Sequence, residues 1–274
     1  MAFLKLLKKS PWVARIGLAI ILLNIAAALL APIIAPYGET EVVGDVWMPR
    51  SSENLLGTDH IGRDMFTRLL YGARNTIAIA FVITMISFAV GISGGFFAAT
   101  LGGWVDLILS RLVDILMAIP VLIFALVVLA VVGNSIPKLI LVIAMLDATR
   151  VYRLSRAVAM DIEVMEYVEA ARLRGEGTWW LMRHEILPNA LPPLVAEFGL
   201  RFCFVFLFIA ALSFLGLGIQ PPTADWGGMV RENSGAITFG IFTPLWPAAA
   251  IAFLTVGVNF IVDWFLHVAS GLKD

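Results

Sequence analysis

Charge is what this sequence has least of: 19 basic and 20 acidic side chains among 274 residues, against 60% hydrophobic residues and a mean hydropathy of +0.93. So few charges cannot cover a soluble domain of this size, nor keep a disordered chain in solution. The formal net charge of -1 offers no field to draw in a polyanion, so nucleic acid is not an expected partner. Cys203 is the one cysteine, set in an apolar run, which excludes an intrachain disulfide and a cysteine-based zinc site. His60, His184 and His267 lie far apart with no H-E-x-x-H spacing, so no metal site is expected. There is no G-x-x-x-x-G-K-[ST] to cradle nucleotide phosphates and no nucleophile-base constellation, so neither a cofactor nor catalysis is expected on this chain. Also missing are a repeat of roughly 20 to 50 residues and any low-complexity linker. One polytopic membrane domain is what remains.

Crossing a hydrocarbon core of about 30 Å takes about 20 apolar residues in a helix. Five stretches of at least 23 residues carry no charge: Ile16 to Gly38, Asn75 to Val105, Ile115 to Pro137, Phe202 to Ala224 and Asn233 to Val262. A weaker sixth span is expected around Leu139 to Leu146, its pattern continuing through Ala148, Val151 and Tyr152. Asp147 and Asp263 are expected at helix ends, with no array of intramembrane acids for a proton relay. With the N-terminus inside, 12 Lys and Arg fall in inner segments and 6 in outer ones, so both termini are expected in the cytoplasm. The first apolar stretch is too long for a cleaved signal and reads as an uncleaved anchor. The expected plan is a cytoplasmic stretch 1–15 and a membrane domain 16–274, with an outer segment 37–74, a cytoplasmic loop 150–190 and an outer loop 219–244.

Polarity concentrates in that cytoplasmic loop. Val164, Met165, Val168, Ala171 and Leu173 lie close to helical spacing, with Glu163, Glu166 and Glu169 ahead of Arg172 and Arg174, as a helix dipole prefers. Gly175 supplies the stop, and Gly177 lets the chain turn before Trp179 and Trp180. A short helix with an apolar stripe needs a partner: another protein, or the lipid surface.

The order Glu169-Ala170-Ala171, three residues, Gly175, then Leu187-Pro188 resembles the EAA loop of ABC importer permeases, in which a cytoplasmic coupling helix docks on an ATPase. Leu56-Gly57-Thr58-Asp59, Gly62-Arg63-Asp64 and Leu70-Tyr71-Gly72-Ala73-Arg74 resemble the outer segment of the OppC/DppC type of oligopeptide and dipeptide permease. Leu212-Ser213-Phe214-Leu215-Gly216-Leu217-Gly218, Gln220-Pro221-Pro222 and Trp226-Gly227 resemble its fifth span and following loop. The resemblance implies an all-α bundle of about six spans in the bacterial inner membrane, coupled to ATPases through Glu166, Glu169, Ala170, Ala171, Gly175, Leu187 and Pro188. It also implies the partners: a homologous OppB/DppB-like second permease, two ATPase subunits carrying ATP and Mg, an extracytoplasmic solute-binding protein, a peptide-like solute and membrane lipid.

Glu185, the bulky Trp179-Trp180 pair, and Glu197 with Arg201 depart from the family pattern. Glu197 and Arg201 stand one helical turn apart at expected bilayer depth, as a buried ion pair or as a patch on the solute path. Gly91, Gly94 and Gly95 with Ser93, Ala98 and Ala99 give the second span a small face for close helix packing. Thr58 and Asp59 are expected to cap a short helix carrying Met65, Phe66, Leu69 and Leu70. A secondary transporter would need coupling acids and inverted repeats, neither of which the sequence shows.

Overall fold

The computed structural model describes residues 11–269, and among them every regular element is helical. The elements are α1 (Trp12–Ile34), α2 (Met65–Leu101), α3 (Gly103–Ala118), α4 (Val121–Val132), α5 (Ile136–Glu163), α6 (Glu166–Leu173), α7 (Thr178–Phe214), α8 (Trp226–Asn233) and α9 (Leu245–Ala269). A 3-10 stretch, Ser234–Phe239, follows α8. Four helices, α1, α2, α7 and α9, are long and apolar enough to cross a membrane, and α3 with α4 makes a fifth if the bent pair counts as one span.

The third charge-free stretch is not the single span its composition suggests. It breaks at Ile119–Pro120, where α3 and α4 meet at 89°. Proline cannot donate to the helix and pushes the residue before it out of the helical region, and Ile119 accordingly sits at φ -92°, ψ 132°. At 1.5 Å per residue, the 12 residues of α4 cover about 18 Å, too short to cross alone.

The weak sixth span becomes α5, 28 residues long. One face buries Leu139, Ile143, Ala144, Val151 and Ala159, and the other carries Arg150, Arg153 and Arg156. A helix amphipathic in this way escapes a hydropathy window, yet it packs well against protein. Its main partner is α2. A Cβ at Gly91 would strike Val151 and the Ala148 carbonyl, and one at Gly95 would strike Ser155 and the Tyr152 carbonyl. The small face therefore does what its pattern suggests and lets the two backbones meet. Hydrogen bonds cross the seam from Ser87 Oγ to the Ala144 carbonyl (3.1 Å) and from Ser155 Oγ to the Gly91 carbonyl (3.0 Å).

Two further expectations need correction. Asp147 lies inside α5, 3% exposed, rather than at a helix end. The cap of α2 is Asp64, whose Oδ2 accepts from the Thr67 N–H at 2.7 Å, because the chain between Thr58 and Asp64 is folded into a separate knot. Helix α1 begins at Trp12, ahead of the Ile16 expected, and α5 runs on to Glu163, so only 164–177 of the expected inner loop lies between long helices.

Helix α2 spans about 55 Å by its 37 residues and joins two distinct ends. Its first turns pack on Trp226 and Met229 of α8, and its last on Ile162, Val168, Leu181 and Met182 around α6.

Candidate functional site

At the α6 end, local rules build a short, self-sufficient platform. Glu166 and Glu169 stand in the first turn of α6 and Arg172 in the last, matching the helix dipole, and Arg172 also pairs with Glu163 across the preceding bend. Gly175 takes φ +85°, which a residue with a side chain adopts only under strain. Its N–H donates to the Arg172 carbonyl (2.9 Å), and the Glu176 N–H donates to the Ala171 carbonyl (3.2 Å), the paired bonds of a Schellman stop. Val168 and Ala171 are fully buried against the cluster around Phe96, Ile162, Leu181 and Ile186. The opposite face is open, with Glu166, Glu169 and Ala170 exposed, Leu173 at 83% and Val164 at 81%. Only part of the expected stripe thus faces inward; Val164, Met165 and Leu173 point away from the bundle. Leu187 is half-buried and Pro188 exposed, just past a five-residue π turn, Met182–Ile186, that makes one helix of the loop exit and the fifth span. The widened turn sits where Pro188 withholds a donor.

At the α8 end, the outer-segment motif is a knot. Asp59 is 0% exposed, with Arg63 Nε at 2.7 Å and Arg68 Nε at 3.3 Å from its Oδ2, while Glu232 of α8 takes both guanidinium groups at 3.2 Å. Thr58 Oγ1 donates to the Asp45 carbonyl (2.6 Å) and accepts from the Met48 N–H (2.7 Å). Gly57 and Gly62 hold φ +77° and +85°, and a Cβ at either would overlap the carbonyl of Met48 or Gly44. Asn233 ties the knot to α8, accepting from Trp47 Nε1 (3.2 Å) and the His60 N–H (3.0 Å). Asp225 caps α8 through the Gly228 N–H (3.0 Å), and burial pushes its carboxyl up to about 6. Asp59, His60 and Glu232 bring their ligand atoms within 4.8 Å of one another, but the two arginines already neutralise both carboxylates there.

Between the ends, Glu197 and Arg201 do meet, with Nε 2.7 Å from Oε1, but they are not a closed pair. Arg201 Nη1 also stands 3.6 Å from Asp147 Oδ1, and the Arg150 guanidinium lies 4.3 Å over the Phe204 ring. Asp147 and Arg150 are the residues that sequence reading left out of this group. The available signal was the buried face of α5: Asp147 falls in register with Ile143 and Ala144.

A family model described as the binding-protein-dependent transport system inner membrane component matches residues 91–270, from the small face of α2 through α6 into α9. The chain belongs to that family. Among relatives of this transport component, the dipeptide transport system permease protein DppC of Alkalihalophilus pseudofirmus is 34% identical, over 98% of this chain and 86% of its own. DppC of Haemophilus influenzae is 35% identical over 95% and 88%. The glutathione transport system permease protein GsiD of Pectobacterium atrosepticum is 30% identical over 93% and 83%. These alignments extend over the outer segment, which the family model does not reach. The crystal structure of an amino acid ABC transporter with histidines shares the fold at a TM-score of 0.54 and 20% identity, covering 72% of this chain and 92% of that one. The chain is thus a multi-pass inner-membrane permease component of the ABC transporter type.

Proposed function

We propose that this permease passes small peptides from an extracytoplasmic binding protein into the cytoplasm, driven by two ATPase subunits docked on α6 and completed by a homologous second permease. One observation carries the docking: α6 is stopped at Gly175 and anchored on its underside, while its other face, Met165, Tyr167, Ala170 and Leu173 with Glu166 and Glu169, stands exposed. A helix that needed only lipid would show basic residues on its polar face. Here two acids lead the exposed side and the exposed Arg172 and Arg174 only balance Glu163, Glu166 and Glu169, so the helix has no basic excess for an anionic headgroup layer and its leading turn suits a basic-rimmed protein groove. ATP and Mg belong to the partner subunits in this reading. ATP-driven closure of the ATPases would move α6, and the continuous helix from Thr178 to Phe214 would carry that motion into the membrane. The solute class rests on the relatives, named for dipeptides and for glutathione, itself a tripeptide. Both termini and the α6 end face the cytoplasm, as the distribution of Lys and Arg favours.

The test is ATP-dependent uptake of labelled dialanine by proteoliposomes holding the assembled complex and its binding protein. Uptake by the wild type, lost with Glu169→Lys while the permease stays folded in the membrane, is expected. Uptake unchanged by that substitution would contradict the docking, and a wild type that takes up no dipeptide would contradict the solute class.

A further inference from the structure

Neither the α6 platform nor the α8 knot uses the charges at mid-depth. Phe198 packs on Phe81 and Phe88 (6.1 and 5.0 Å between ring centres), on either side of the middle of α2, so Glu197 and Arg201 sit near the bilayer centre. Asp147, 3% exposed, has no hydrogen-bond partner on either carboxylate oxygen among the described residues; its 3.6 Å approach to Arg201 is an ion-pair contact only. Arg150, three residues along α5, stacks on Phe204 and has no hydrogen-bond partner among the described residues. Charges so poorly satisfied inside a membrane cost several kcal/mol, and apolar residues would pack there at no such cost.

Beside Arg150 the α3–α4 elbow borders a partly open cavity of about 170 Å³, whose lining includes Met117, Ile119, Pro120, Val121, Thr149 and Arg150. A second gap of only about 10 Å³ shares Val121, Leu146 and Arg150 with it and reaches Asp147. The cavity lies at the start of α4, whose first-turn N–H groups have no intrahelical acceptor; the first one satisfied within the helix is Phe124, donating to the Pro120 carbonyl at 3.0 Å. A guanidinium and the positive end of a helix therefore border one small cavity, an arrangement that favours a carboxylate. Asp147, next along, already has the Arg201 guanidinium 3.6 Å from its Oδ1. Pockets that enclose whole ligands run from about 300 Å³ upward, so this one suits a chain terminus.

We propose that Arg150, with the first turn of α4, takes the terminal carboxylate of a peptide in transit. This rests on the peptide reading above. It makes Arg150 specificity-determining, while Arg201 stands between the carboxylates of Glu197 (2.7 Å) and Asp147 (3.6 Å).

The test uses the reconstituted complex with its binding protein saturated with labelled dialanine, and reads dipeptide delivered per ATP hydrolysed. Arg150→Gln is expected to lower that ratio about tenfold or more, and Arg150→Lys to restore most of it. Val121→Phe, which fills the cavity without touching a charge, is expected to lower it too and covers the case in which a charge variant fails to assemble. A wild-type ratio in Arg150→Gln or in Val121→Phe overturns the proposal. So does a parallel fall of uptake and ATP hydrolysis, which marks a purely structural role. A wild type that delivers no dipeptide instead removes the peptide reading on which this one stands.

Discussion

At the α8 end, Asp59, Arg63, Arg68 and Glu232 neutralise one another out of solvent, and three segments far apart in sequence interlock through Asn233, Trp47 and Trp226. At the α6 end nearly every bond is local, within about ten residues, and large apolar side chains stand in the open. Both ends carry motifs of similar length and similar glycine usage. The glycines of the knot are fixed because backbone crowds them, whereas nothing lies within 4 Å of a Cβ on Gly175, which is fixed by its φ alone. A finished surface and a surface awaiting a partner thus differ in where satisfaction comes from: long-range side-chain pairing in one, self-contained backbone capping in the other.

Breaking the knot is expected to have the largest effect. Arg68→Ala leaves Arg63 alone against the two carboxylates of Asp59 and Glu232 in a buried site and should cost about 3 kcal/mol or more, seen as loss of the subunit from the membrane or a lowered unfolding midpoint in detergent. On the other end, Gly175→Val forces a branched residue to φ +85° and should cost on the order of 1–3 kcal/mol, confined to the loop and read by its protease sensitivity, with the midpoint of the bundle little changed. Cysteines at Ser52 and Ser234, in a Cys203-free background, should react with an impermeant thiol reagent from outside intact cells while one at Leu173 does not. The reverse pattern would exchange the assignments of the two ends.

An effect of the opposite sign concerns Asp225. Its carboxyl titrates near 6 in the fold against 3.8 ordinarily, so the folded state holds the extra proton between those values. Its contribution to stability is therefore greatest below about pH 4 and is lost as pH rises through 6. Asp225→Asn keeps the cap oxygen for the Gly228 N–H and removes the charge. It should raise stability at pH 7 by at most about 3 kcal/mol and flatten the dependence between pH 4 and 6. A variant less stable at pH 7 would show that the charged carboxylate's bonds with Ser213 and the Gly227 and Gly228 N–H groups outweigh its burial.

What was legible in the sequence followed from local rules. Charge-free length marks α1, α2, α7 and α9, and small residues mark the seam of α2 with α5. The acids, Gly175 and the Leu-Pro step mark the α6 platform. What was not legible depends on distant pairing. Asp59 reads as a cap until Arg68 and Glu232, 164 residues apart, are seen to meet. Asp147 reads as a helix end because its neighbours Arg150 and Arg153 look like a loop, and only the buried seam of α5 shows that they continue a helix. The bend at Pro120 is the intermediate case: proline announces a break but not its angle of 89°.

The direct test of the central claim, that the α6 end is an ATPase-docking face and the α8 end is complete in itself, is retention of ATPase subunits on affinity-purified permease, quantified by mass spectrometry for wild type and Leu173→Glu. Leu173 is 83% exposed and touches little of the bundle, so its substitution should leave the subunit's own stability within about 0.5 kcal/mol. The account predicts equal permease recovery with ATPase retention reduced about tenfold or more. Full ATPase retention by the variant, at normal permease recovery, would contradict it.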